Sequence, residues 1–213
     1  MKGITNRLYG LAEWISHLAY LNFLWFIFCL FGLVVFGFMP ATVTVFIILR
    51  KRLRHQGDLP VFKTFLKTYK EEFIKSHLVG IPLVILYAFI FIDLIYLRSV
   101  AGTGPMFIPI YFILLGTVLT TLYVFPVYAH YDLKALTVLK NAFLMMLIHP
   151  LNNFIMVIIL AITFFVMKNL PALVVFFGVS FPALVIMASC YVAFQKLEKG
   201  RKRENDNARH LPE

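Results

Sequence analysis

The sequence predicts an all-α fold, a polytopic membrane helix bundle of about six transmembrane helices with two amphipathic connector helices on its cytoplasmic side. Apolar residues make up 61% of the 213 residues, against roughly 45–50% in ordinary globular chains. A soluble domain of this size has too much surface to hide so many apolar side chains. The apolar residues also fall into runs of about 20, the length that crosses a bilayer, and most basic residues lie between the runs.

Four apolar runs match single spans, at about residues 78–97, 106–129, 151–167 and 172–194. The last two spans are joined by residues 168–171 only. A connection this short joins antiparallel neighbours.

The first apolar region, residues 18–49, would be about 48 Å long as one helix, which is too long for one span and short for two. Gly32, Gly37 and Pro40 lie in its middle, and proline interrupts a helix but suits its first position. We therefore expect a break around residues 32–39, with spans at about 14–31 and 40–54 and Pro40 at the second helix start. The alternative is five spans, with one first span kinked at Pro40.

Both connectors show apolar residues at helical spacing. After Pro60 these residues are Phe62, Phe65, Leu66, Tyr69, Phe73 and Ile74, with Lys and Glu on the opposite face. In the second connector they are Leu133, Leu136, Leu139, Phe143 and Leu147. Each pattern predicts an amphipathic helix that leads into the next span.

The distribution of charge predicts the orientation. If six helices cross, eighteen of the twenty Lys and Arg residues lie on one side, and only Arg98 and Lys168 lie on the other. Because cytoplasmic loops collect Lys and Arg, both termini are expected in the cytoplasm, and five spans would move only the N-terminus outside. Residues 1–194 then form a single transmembrane domain, and residues 195–213 form a basic cytoplasmic tail that we expect to be disordered.

Two groups of residues are candidates for function. The first is a set of basic residues that we expect to face a partner or anionic lipid headgroups, namely Arg50, Lys51, Arg52, Arg54, Lys63, Lys67 and Lys70. Positive charge gathers where a span leaves the membrane, and each such residue adds about 1 kcal/mol of attraction to an anionic leaflet. The net charge of +10 therefore does not require nucleic acid as a partner, and none is expected.

The second group consists of the polar residues Asn22, Asp93 and Asn152 inside predicted spans. An acid in lipid is costly and often marks an ion or substrate path, although Asp93 is close to Arg98 and to the outer end of its span. The asparagines are suited to hydrogen bonds between helices, and Asn152 alternatively caps the helix after Pro150.

No catalytic, cofactor or metal site is readable in the sequence. The six His residues are scattered, and no phosphate-binding glycine loop or nucleophile elbow occurs. Cys29 and Cys190 lie apart in apolar runs, as is typical of buried, inert thiols. An enzyme is not expected.

The stretch "WISHLAYLNFLW", together with Pro40-Ala41-Thr42 and the later Phe62-Lys63-Thr64-Phe65, resembles the YesL family of small bacterial membrane proteins, a family of unknown function. Tyr123-Val124-Phe125-Pro126 and Leu139-Lys140-Asn141-Ala142-Phe143 extend the resemblance over nearly the whole chain up to the tail. Many relatives carry Thr-x-Gly-Pro-Ala before the second helix, whereas the break here keeps its Gly and Pro but lacks the Thr.

The resemblance implies a bacterial cell-membrane location and an association with genes for carbohydrate uptake. We therefore expect an accessory component of oligosaccharide uptake or utilisation. The alternative is a small membrane transporter with a path near Asn22, Asp93 and Asn152. The expected partners are membrane lipids, including anionic headgroups, and a component of a carbohydrate transporter; a homo-oligomer is left open.

Overall fold

The computed structural model describes residues 2–54, 60–100, 105, 107–131 and 133–209, and it describes side chains over 8–54, 60–99, 105, 107–131 and 133–195. Every regular element in these ranges is a helix. The helices are α1 (Lys2–Phe31), α2 (Val35–Leu53), α3 (Val61–Val100), α4 (Phe107–His130), α5 (Ala135–Ile148), α6 (Pro150–Asn169), α7 (Pro171–Phe177) and α8 (Ser180–Arg209).

The all-α membrane bundle predicted from the sequence is confirmed. Within the described part of the chain, four helical segments are long and apolar enough to cross a membrane, namely Leu8–Phe31, Val61–Ser99, Phe107–His130 and Pro150–Asn169. The bent pair of α7 and α8 makes up to a fifth. About six spans were predicted, and the helix that does not meet the criterion is α2. Its last turn carries three basic residues, so its apolar run is too short.

The predicted break in the first apolar region is confirmed, and a single kinked first span is wrong. α1 ends at Phe31, a turn occupies residues 32–34, and α2 folds back against α1. At the open end of this hairpin Arg52 forms an ion pair with Glu13. Midway along it, Trp25 Nε1 donates to Thr42 Oγ1 at 3.0 Å.

Glycines let the two helices approach closely at the turn. A Cβ atom placed on Gly37 would lie 2.5 Å from the carbonyl oxygen of Cys29, and one on Gly32 would lie 2.3 Å from the Cα of Gly37. Only a residue without a side chain fits at either position.

The turn itself is strained. Val34 has φ 65° and ψ −60°, and the amide of Val35 donates to the carbonyl of Leu33 at 2.7 Å. These values describe a γ-turn of the rare, left-handed kind, which is unfavourable for a β-branched residue. The predicted start at Pro40 is wrong, because α2 already begins at Val35 and contains Pro40. Proline is tolerated there because it removes only one hydrogen bond, close to the helix start.

α2 is the central helix of the bundle. It packs against α1, α3, α4 and α8, and ten of its residues are buried. Val45 and Ile48 are fully buried. The short helix that fails the span criterion therefore lies inside the bundle, in contact with four other helices.

The first connector is not a separate surface helix, because it continues into the next span as the single helix α3. Part of its predicted apolar face lies in the core, with Phe65 fully buried and Tyr69 nearly so, whereas Phe62 and Ile74 are 50% and 76% exposed. The Tyr69 hydroxyl donates to the carbonyl of Phe28 at 3.1 Å. No proline separates connector from span before Pro82, and α3 contains Pro82 without ending there.

The second connector, α5, is separated from α6 at His149, because the residue before a proline is disfavoured in helical geometry and Pro150 follows it. α5 buries Val138 and Ala142, whereas Leu136, from the predicted apolar face, is 76% exposed. This helix is therefore apolar on both faces, which suits lipid better than water.

The predicted last span, 172–194, is broken. α7 and α8 are bent by 62° at residues 178–179. Pro182 contributes to the break, since it cannot donate a backbone hydrogen bond to the carbonyl of Gly178 and fits within the first turn of α8. The tail predicted to be disordered continues α8 as helix to Arg209. Residues 210–213 lie outside the described residues, as do residue 1, 55–59 and the predicted start of a span at 106.

Candidate functional site

A charged cleft of about 450 Å³ lies between α2, α3, α4 and the start of α5. We call it the interfacial cleft because it occurs where α2 and α4 end. Its lining residues are Ile47, Arg50, Lys51, Thr68, Glu71, Glu72, Lys75, Leu78, Val79, Tyr128, Ala129, Tyr131, Leu133, Lys134 and Ala135.

The cleft is polar on one side and apolar on the other. Four cationic side chains and two carboxylates line it, so its formal charge is positive. The Tyr128 hydroxyl donates to Glu72, and Lys67 lies 3.9 Å from Glu71. Each carboxylate keeps further acceptor capacity. The arrangement suits a ligand that carries negative charge together with hydrogen-bond donors.

Arg50 fixes one wall of the cleft. Its Nη1 donates to the carbonyl of His130 at 3.1 Å and so ties the end of α2 to the end of α4. Its Nε is buried and has no hydrogen-bond partner among the described residues. Burial lowers the pKa of the Arg50 guanidinium. An Arg side chain nevertheless stays protonated in proteins, so Arg50 supplies a positive charge at a fixed position in this wall.

The other residues of the basic run have different environments. Arg52 donates to Glu13 at 2.7 Å and to His17 Nδ1 at 3.1 Å, and it lies 4.8 Å above the ring of Trp14. Its charge is therefore used within the α1–α2 hairpin. Arg54 is exposed, with Nη2 3.5 Å from His130 Nε2.

The predicted lysines on α3 lie along its exposed side. Lys63 and Lys67 line a second, open cavity of about 290 Å³ together with Lys51, and Lys70 is exposed. Of the seven predicted basic residues, Arg50 and Lys51 line the interfacial cleft.

Asn22 is fully buried and forms hydrogen bonds to the backbone at the break between α7 and α8. Its side-chain amide donates to the carbonyl of Val175 at 2.6 Å. Its Oδ1 accepts from the amides of Val179 at 2.9 Å and Ser180 at 3.2 Å. These are backbone groups that a continuous helix would satisfy internally.

Asn152 belongs to a network between α4, α5 and α6. It donates to the Tyr123 hydroxyl at 3.0 Å, and that hydroxyl donates to Asn153 Oδ1 at 2.6 Å. Asn153 in turn donates to the carbonyl of Met146 at 2.7 Å, whose regular partner would be the missing N–H of Pro150. The network thus replaces a bond that proline removes, and neither asparagine side chain caps the start of α6.

Asp93 is exposed on α3. Among the described residues, ion pairs join Arg52 to Glu13 and Lys67 to Glu71, so Asp93 is not paired with Arg98. Asn22, Asp93 and Asn152 have separate surroundings, and the structure does not bring them together into one path.

Sequence reasoning missed most of the cleft, although a signal was present. Thr68, Glu71, Glu72, Lys75 and Val79 recur three or four residues apart and therefore share one face of α3. Tyr128 and Lys134 come from other helices and depend on the tertiary fold. No group of three His, Cys, Asp or Glu residues in the described ranges is placed to hold a metal ion.

Comparisons with known proteins identify the relatives of this chain. The family described as "Protein of unknown function, DUF624" matches residues 18–94, which cover most of the α1–α2 hairpin and α3. Uncharacterized protein YesL of Bacillus subtilis is 36% identical over 149 residues, which are 69% of this chain and 70% of that protein.

Two further Bacillus subtilis proteins are similar. Uncharacterized protein YteU is 36% identical over 67% of this chain and 65% of its own length, and uncharacterized protein YesV is 33% identical over 70% and 72%. No solved structure matches the chain. The identity to YesL over two thirds of both chains, on a fold of membrane-crossing helices, shows that this chain belongs to the YesL family, whose function is unknown.

Proposed function

We propose that this protein is an accessory component of oligosaccharide uptake or utilisation in a bacterial cell membrane and presents its charged end to a transporter component. The observation that carries the proposal is a difference between two sets of polar side chains, those buried in the bundle and those exposed on α3. Asn22 and Asn153 are bonded to other helices, whereas Lys63, Lys67 and Lys70 are exposed on α3 beside the interfacial cleft. These exposed lysines are the cationic side chains that a partner can reach at this end of the bundle.

A sugar path through one copy of the chain has less support. Such a site needs several convergent hydrogen-bonding groups, and the buried asparagines already use theirs for backbone and hydroxyl partners. In vesicles reconstituted with this protein alone, we expect the oligosaccharide flux to be the same for the wild type and for Asp93→Asn. Loss of flux in that variant would favour the transporter alternative.

The orientation that goes with this proposal has both termini in the cytoplasm, following the charge distribution, and it requires α2 to return across the membrane beside α1 as the sixth crossing segment. Cysteine labelling tests it, because Cys29 and Cys190 are buried and give little background. Lys2→Cys should react with an impermeant maleimide only after the cells are opened, and Lys168→Cys should react in intact cells. The opposite pattern would invert the orientation.

The partner role is tested by cross-linking in cells followed by purification in a mild detergent. A carbohydrate transporter subunit should co-purify with the wild type and be lost from the triple variant Lys63→Glu, Lys67→Glu, Lys70→Glu. Lys168→Glu, in the connection between α6 and α7, is the matched control and should retain the partner. Recovery of the chain alone or only as a homo-oligomer would refute the accessory role.

A deletion strain grown on a panel of oligosaccharides supplies the functional readout. Growth should fail on particular oligosaccharides and be restored by the wild type but not by the triple variant. Unchanged growth on every substrate would separate the protein from carbohydrate use.

A further inference from the structure

A third cavity, of about 590 Å³, lies between α3, α4 and α5. We call it the apolar groove. α3 lines it from Pro82 to Leu86, α4 from Ile113 to Thr120, and α5 at Leu139 and Phe143. Its threonine hydroxyls are satisfied within α4, since Thr117 donates to the carbonyl of Ile113 and Thr120 to that of Gly116. The groove therefore offers an apolar surface.

The groove continues the interfacial cleft along the same helices. Val79 lines the cleft and Leu83 lines the groove, one turn or about 6 Å further along α3. On α5, Ala135 and Leu139 are related in the same way. Charged and apolar compartments thus follow each other in the direction expected for a headgroup and its acyl chain.

The side chains that line the cleft are suited to binding a headgroup that contains phosphate. Lys51, Lys75 and Lys134 join the held guanidinium of Arg50, and cations of this kind form strong, charge-assisted bonds to phosphate oxygens. The carboxylates of Glu71 and Glu72 disfavour a bare polyanion but accept hydrogen bonds from hydroxyl groups.

We propose that the interfacial cleft and the apolar groove form one binding site for an anionic phospholipid whose headgroup carries hydroxyl groups, with the phosphate in the cleft and one acyl chain in the groove. The proposal does not depend on the partner role above. A zwitterionic lipid leaves the positive charge of the cleft unbalanced, and a soluble phosphate compound leaves the groove empty.

The test is native mass spectrometry of the full chain in detergent, titrated with phosphatidylglycerol, with phosphatidylcholine of the same acyl chains, and with soluble glycerol phosphate. Phosphatidylglycerol should bind most tightly. Lys75→Gln combined with Lys134→Gln should weaken it by an order of magnitude or more, since each lysine near an anionic headgroup contributes about fivefold. Lys140→Gln combined with Lys168→Gln removes two exposed lysines outside the cleft and should alter binding less than twofold.

Gly116→Phe tests the acyl-chain compartment separately. Gly116 lines the groove, and a Cβ added there meets no side chain or neighbouring helix within 4 Å, so we expect a phenyl ring at this position to occupy the groove. This variant should weaken phosphatidylglycerol about tenfold while its thermal unfolding in detergent stays like that of the wild type. Equal binding of both lipids, or full binding by both the lysine and the Gly116 variants, would refute the site. Tight glycerol phosphate binding that Gly116→Phe leaves unchanged would assign the cleft to a soluble ligand and overturn the lipid proposal.

Discussion

Replacing Asn22 by leucine should destabilise the bundle strongly. Leucine has about the same size and is more apolar, so an average hydropathy argument predicts a neutral or favourable change in a membrane span. The structure predicts the opposite, because the Asn22 side chain makes three hydrogen bonds to Val175, Val179 and Ser180. All three backbone groups lie at the break between α7 and α8.

The magnitude follows from those bonds. A buried backbone group left without a partner costs about 1–3 kcal/mol, whereas hydrogen bonds between helices in a membrane average about 0.6 kcal/mol and reach about 1.7. α8 has little freedom to recover the bonds by straightening, because Pro182 lies in its first turn. Three such bonds at about 0.6–1.7 kcal/mol each give an expected loss of about 2–5 kcal/mol in the free energy of unfolding.

The assay is reversible unfolding in mixed micelles by titration with a denaturing detergent, followed by the fluorescence of Trp14 and Trp25. Asn169→Leu is the matched control, since its amide makes one local bond to the carbonyl of Phe165 on an exposed surface, and it should change the free energy by less than about 0.5 kcal/mol. If Asn22→Leu is no worse than Asn169→Leu, Asn22 does not hold the break and the reasoning is wrong.

Three further changes are predicted in the same assay. Val34→Gly should stabilise the protein by about 0.5–1 kcal/mol. The left-handed conformation of Val34 costs about 1–3 kcal/mol, and this strain exceeds the conformational entropy that a glycine loses on folding. A destabilised variant would contradict the strained turn. Gly37→Ala should destabilise by about 1–3 kcal/mol, since the new Cβ lies 2.5 Å from the carbonyl of Cys29, and wild-type stability would exclude that close approach. Asn153→Leu should cost about 1–3 kcal/mol by leaving the carbonyl of Met146 unpaired, and a neutral result would show that this carbonyl finds another donor.

The helix boundaries that the sequence predicted correctly depend on local chemistry. The break after Phe31 follows from an apolar region too long for one span, and the separation of α5 from α6 follows from Pro150, which disfavours helical geometry at the residue before it. Pro171 likewise begins α7 after the short connection. Signals of this kind act within a few residues, and no tertiary contact is needed to read them.

Predictions about continuity were less successful. The expected boundary between connector and span near residue 78 does not exist, because hydropathy changes there while the backbone of α3 continues as a helix. The break at residues 178–179 has the opposite character, since the apolar run continues across it while the helix does not. Average hydropathy reports the solvent that surrounds a segment, whereas the backbone geometry at this break depends on Pro182 and on the hydrogen bonds from Asn22.

The sequence by itself determined that the protein is a helical membrane bundle, where its first hairpin turns and which residues gather positive charge, because these properties depend on composition and short-range sterics. Only the tertiary structure decided what the polar residues do. Asn22 pairs with backbone groups more than 150 residues away, and Arg50 and Arg52, two positions apart, face the cleft and the hairpin respectively. Helices that are apolar all round carry no pattern showing which face meets protein, so these pairings arise only when the bundle packs.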